Sequence, residues 1–98
     1  MAEEMTGQAV DEARGLSARE WEALCLILAQ FGRGTVGRGP SDKDLKSAAG
    51  RLRTKGIVVG DGTEKTRRAD GYGFHSHTIW RVTDLGRAVA LARIVGLE

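Results

Sequence analysis

The chain has 98 residues, a formal net charge of +2 and one cysteine, Cys25. That length suffices for a single domain with its own core; the lone cysteine excludes an intrachain disulfide, and no apolar run approaches the about 20 residues that cross a bilayer as a helix. Charge is segregated: six acids face two arginines between Met1 and Glu22, whereas eleven Lys and Arg face five acids between Arg33 and Arg81, the distribution expected of an anion-binding central segment.

Residues 1–15 are acidic and without a clear apolar period, and are expected to be a flexible arm ahead of a folded domain over residues 16–96. Ser17 and Glu20 have the spacing of a capping box, and Leu16 and Trp21 that of a hydrophobic staple. Trp21, Leu24, Cys25, Leu28 and Phe31 then recur at helical spacing, which predicts a helix over 17–31 stopped by Gly32. Within that run the Cys25 thiol reads as a small hydrophobe. Four glycines and Pro40 between Gly32 and Pro40 predict a loop. A phosphate-cradling reading of this loop fails, because the Gly-Lys-Ser/Thr ending is missing and no strand is predicted before it.

A second helix is predicted over 41–55, with Ser41 as N-cap and Gly56 at the left-handed stop. Leu45, Ala48, Ala49 and Leu52 fall on one side of it, and Lys43, Lys46, Ser47, Gly50, Arg53 and Thr54 on the other. Lysine and arginine neutralise phosphates, hydroxyls donate to phosphates or base edges, and Gly50 allows close backbone approach. Lys55, in the last turn, joins this cationic set.

Ile57 to Gly60 and Thr78 to Val82 are rich in β-branched residues and predict two antiparallel strands, a hairpin near 57–60 and 78–83. Their polar connection carries Lys65, Arg67 and Arg68 and reads as an extended loop, with residues 72–76 able to lengthen the second strand. Strand alternation places His75 and His77 on one face. No Cys, Asp or Glu follows Asp70 closely enough to complete a metal site, so both are expected to be exposed, and neither metal nor cofactor is expected. Thr83 is the N-cap candidate for a last helix over 84–95, with Leu85, Ala88, Ala92 and Val95 as its inner stripe. Leu91 and Ile94 lie off that stripe and predict a homodimer contact. One core is expected to unite Trp21, Leu24, Leu28, Leu45, Leu52, Ile57, Trp80, Val82 and Leu85.

Two segments carry a resemblance. Leu52-Arg53-Thr54-Lys55-Gly56-Ile57-Val58 looks like the turn "Leu-x-x-x-Gly-hydrophobic-Val/Ile" that leads a recognition helix into a wing. Val82-Thr83-Asp84-Leu85-Gly86-Arg87-Ala88-Val89-Ala90 looks like the "Leu/Val-Thr-x-x-Gly-x-x-x-Ala" that follows the wing's return strand. In this order they resemble winged helix-turn-helix regulators of the broad MarR/PadR kind over about residues 17–95. The resemblance implies an α+β, mostly α fold, with the helix over 41–55 in the major groove and the wing on backbone or minor groove. Those families place a separate helix before the recognition helix. Here the glycine-rich segment fills that interval, with the helix either shortened to a turn or merged with its neighbour.

The expected function is that of a cytoplasmic DNA-binding transcription regulator of bacterial or phage type, acting on double-stranded DNA. Its contacts would be Lys43, Lys46, Ser47, Gly50, Arg53, Thr54 and Lys55 from the helix and Lys65, Arg67 and Arg68 from the wing. The alternative is a winged-helix adaptor or inhibitor that binds protein. Tyr72 and Phe74 add stacking capacity for RNA. Enzyme function is not expected, because candidate acids and bases are scattered.

Overall fold

The computed structural model describes residues 2–36, 43–67 and 71–96. In chain order they form α1 (Ala2–Arg14), α2 (Ala18–Ala29), β1 (Arg33–Gly34), α3 (Lys43–Thr54), β2 (Val58–Arg67), β3 (Phe74–Val82) and α4 (Asp84–Gly96). The sheet is antiparallel with strand order β1-β3-β2. The fold is thus a small, mostly helical α+β domain, and among the described residues no helix is long and apolar enough to cross a membrane.

Helix α2 starts as its sequence predicts. The Ser17 hydroxyl accepts from the Glu20 N–H at 3.1 Å, and the Glu20 carboxylate accepts from the Ser17 N–H at 3.3 Å, so two orphan donors of the first turn are satisfied reciprocally. Its end differs from expectation. Phe31 (φ 63°) as well as Gly32 (φ 82°) takes a left-handed conformation, with Phe31 N–H donating to the Leu28 carbonyl and Gly32 N–H to the Ile27 carbonyl. Helix α3 ends with the same pair of bonds, from Gly56 to Arg53 and from Ile57 to Leu52, but with Gly56 (φ 78°) at the left-handed position, as predicted. A side chain at such a φ costs about 1–2 kcal/mol relative to glycine, and Phe31, 98% exposed, recovers none of it by burial.

The two sequence motifs meet in space. The Thr83 hydroxyl lies 2.7 Å from the Gly56 carbonyl oxygen and 3.0 Å from that of Ile57, and it accepts from the Gly86 N–H at 3.0 Å as the cap of α4. A Cβ on Gly86 would collide with the Ile57 carbonyl oxygen. Gly86 therefore lets α4 lie directly on the start of the hairpin, and this fixes the rotation of α4. Its buried residues are Gly86, Val89 and Ala90, whereas Val95 joins Leu91 and Ile94 outside. Of the expected stripe, Leu85, Ala88 and Ala92 pack half-buried against the core, whereas Val95 falls outside and Val89, expected beside the stripe, is buried instead.

Leu24, Leu45, Leu52, Ile57 and Val82 are buried in one core, with Trp21, Leu28, Trp80 and Leu85 packed half-buried against it. Half-buried Cys25 fits its reading as a hydrophobe, and burial pushes its thiol pKa up despite the Arg93 charge.

Three segments depart from the sequence reading. The segment expected to be an arm is helical over 2–14, burying Ala9 and Ala13 and packing on α4; the Arg93 guanidinium donates to the Ala13 carbonyl at 3.2 Å and sits 5.1 Å from the Trp21 ring centroid. Alanines allow close helix contact without the large apolar stripe that announces an amphipathic helix. The glycine-rich loop contributes β1, held by backbone pairing with Trp80 and Arg81. The Gln30 amide clamps this turn, donating to the Leu26 and Thr35 carbonyls and accepting from the Thr35 N–H, and it lies where a Cβ on Gly34 would be. Finally, residues 61–67, read as loop, continue β2, and β3 begins at Phe74, so the hairpin is longer than predicted. A bulge between Gly60 and Thr63, with Gly62 at φ 107°, breaks the alternation that would have revealed it. Ser41 as N-cap, and any short helix before it, fall outside the described residues.

Candidate nucleic-acid interface

Helix α3 buries Leu45, Ala48, Ala49 and Leu52, the side predicted from its sequence. The same rotation turns Lys43, Lys46, Ser47, Arg53 and Thr54 to solvent. Gly50 lies among them with nothing within 4 Å of where a Cβ would stand, and the Thr54 hydroxyl is turned back onto the Gly50 carbonyl at 3.2 Å. The face is therefore open, and its backbone is approachable at Gly50.

Lys55 does not belong to that face. Its ammonium lies 2.7 Å from a Glu20 carboxylate oxygen and 3.3 Å from the Gly15 carbonyl, and the Arg51 guanidinium lies 3.7 Å from the other Glu20 oxygen. Glu20 is buried. Burial raises its pKa, but the hydrogen bonds from Lys55, the Ser17 N–H and the Ser17 hydroxyl, with the Lys55 charge, outweigh it and hold the carboxyl below its ordinary range. Lys55, expected to meet nucleic acid, is thus engaged in joining α3 to α2. No local signal links residues 35 positions apart.

On the hairpin, Lys65 and Arg67 are exposed and alternate along β2, while Arg68 is outside the described residues. Among the described residues, no ion pair or hydrogen bond engages Lys43, Lys46, Arg53, Lys65 or Arg67. Helix and hairpin are joined at a cleft of about 190 Å³ lined by Lys46, Val36, Ser76, His77, Thr78 and Trp80. Lys46 is the one predicted contact residue at this junction.

No family model matches the chain, and no curated protein or solved structure matches it either.

One of the two histidines departs from expectation. His75 is exposed, but His77 is only 7% exposed, its Nε2 3.2 Å from the Thr66 hydroxyl and its Nδ1 buried with no partner among the described residues. The rings lie 6.3 Å apart, and among the described residues no three His, Cys, Asp or Glu are grouped to hold a metal ion.

A second cationic cluster went unpredicted. Arg33 on β1 and Arg81 on β3 pair across the strands, and both face Asp61 on β2, at 2.6 Å and 3.9 Å. The Arg33 hydrogen bond chiefly, against slight desolvation and with both guanidinium charges, holds the Asp61 carboxyl below its ordinary range. Three strands bring these residues together, so only the sheet register could have revealed them.

Proposed function

We propose that the protein is a DNA-binding transcription regulator of the winged helix-turn-helix kind, with α3 in the major groove and the β2–β3 hairpin as the wing on backbone or minor groove. The observation that carries this reading is the division of the cations. Arg33, Arg51, Lys55 and Arg81 face acids within the fold, whereas Lys43, Lys46 and Arg53 on one open helix face and Lys65 and Arg67 on the hairpin face none among the described residues. The helix–strand–helix–hairpin–helix order from α2 to α4, and the meeting of the Gly56 and Thr83–Gly86 motifs, support the architecture.

Titrating a mixed-sequence duplex at several salt concentrations tests it. About five or six neutralised phosphates give a slope of log K against log salt near −5. Absence of binding at low salt overturns the reading and favours a protein-binding adaptor.

The regulator would act as a homodimer through α4. Leu91, Ile94 and Val95 are exposed together, and the Phe31–Gly32 turn abuts Arg87 one helical turn before Leu91. A two-fold arrangement would space two α3 helices about 34 Å apart, for successive major grooves. Sedimentation should give a dimer at tens of micromolar for the wild type and a monomer for Leu91→Glu/Ile94→Glu. A monomeric wild type removes the half-site arrangement.

A further inference from the structure

Two of the most exposed aromatic side chains stand at the far end of the hairpin. Arg67 and Phe74 form the last paired rung of β2 and β3. At about 3.3 Å per residue, the ten residues of β2 carry this end of the hairpin well away from its base at Val58 and Val82. Its base is buried through Val58 and Val82, but at its tip Tyr72 is 83% and Phe74 63% exposed. Gly71 and Gly73 flank Tyr72 at φ 79° and 89°, conformations that favour glycine, so the local sequence is shaped to hold an aromatic outward. Lys65 and Arg67, paired with Ser76 and Phe74, lie on the strand face that carries Phe74; the nearest described acid on β2, Glu64, lies on the other face and farther down the strand, opposite His77.

We propose that this tip stacks on nucleobases: Phe74, with Tyr72, enters a base step from the minor groove while Lys65 and Arg67 hold the flanking phosphates. This rests on the DNA-binding reading and deepens it, since a wing that only followed the backbone would need cations and no aromatic faces. Apolar wedges unstack a base step and bend the duplex, and an aromatic face accepts any base. The cations beside the aromatics make a nucleic acid the occupant, in preference to an apolar protein surface.

The test uses the full chain, a mixed-sequence duplex carrying 2-aminopurine at successive positions, and the matching single strand. Binding should raise 2-aminopurine emission at one or two duplex positions. Phe74→Ala should abolish that rise and weaken binding on the order of 10-fold or more with the salt slope unchanged, because no charge is lost. Phe74→Trp should retain both signals, which separates stacking from a folding defect. Salt-dependent duplex binding with no emission change, and with Phe74→Ala and Tyr72→Ala at wild-type affinity, overturns the stacking tip and leaves the DNA-binding reading intact. No duplex binding, but single-strand binding that Phe74→Ala weakens, overturns the duplex reading and keeps the stacking tip, with a single strand as its source of bases. No binding to either strand form overturns both.

Discussion

On one flank of α3, Arg51 and Lys55 converge on Glu20; across the rest of its outer surface, Lys43, Lys46 and Arg53 meet no acid among the described residues. All five are cations of α3 or of the turn that closes it, yet two are part of the fold and three are available to a partner. The difference comes from α2. The capping box that starts α2 turns the Glu20 carboxylate so that one oxygen serves the Ser17 N–H and the other meets Lys55. A residue chosen to begin one helix thereby takes two cations out of the outer surface of another.

The largest effect should come from the side of α3 that sets both flanks. Leu52 is fully buried, and Leu52→Ala should destabilise the protein by about 2–5 kcal/mol in urea unfolding. A loss below about 1 kcal/mol would mean that the helix is rotated differently, and the division of its cations with it.

Next is Glu20→Ala, which removes a cap and the anchor of two cations, with an expected loss of about 1–3 kcal/mol at neutral pH. Because the folded carboxyl titrates below the unfolded one, its contribution is fully present above the ordinary glutamate range and fades as pH falls through the lowered folded value. The stability gap between wild type and Glu20→Ala should therefore narrow on acidification. A gap that widens would contradict the pairing.

The smallest stability effects give the sharpest contrast. Lys55→Ala should lower stability by about 1 kcal/mol and leave the salt slope of duplex binding unchanged. Lys43→Ala/Lys46→Ala/Arg53→Ala should move stability by about 0.5 kcal/mol or less per site and cut the salt slope by about three units. If Lys55→Ala also lowers the slope, its ion pair opens on binding and the two flanks work as one surface.

Legibility in the sequence followed the range of the interactions. The Ser17–Glu20 box, the Gly56 stop, the buried side of α3 and the Thr83 cap are settled within about one helical turn, and each was readable. The α1–α4 contact escaped because alanines make it, β1 because backbone groups alone make it, and the far half of β2 because the Gly60–Thr63 bulge hides its period. The site divides in the same way. The open face of α3 was legible, whereas the diversion of Lys55, the Arg33–Asp61–Arg81 cluster and the burial of His77 depend on partners brought in by other elements.

The rotation of α4 is set in its first turn, where Gly86 rests on the Ile57 carbonyl. Val89 and Ala90 then enter the core and Arg93 meets Ala13 and Trp21, while Leu91, Ile94 and Val95 stand outside and can be exchanged without repacking the interior. In evolutionary terms the outer side of α4 is a replaceable module: descendants of this chain can acquire a new surface there by point substitution while the arrangement of α3 and the hairpin is inherited intact.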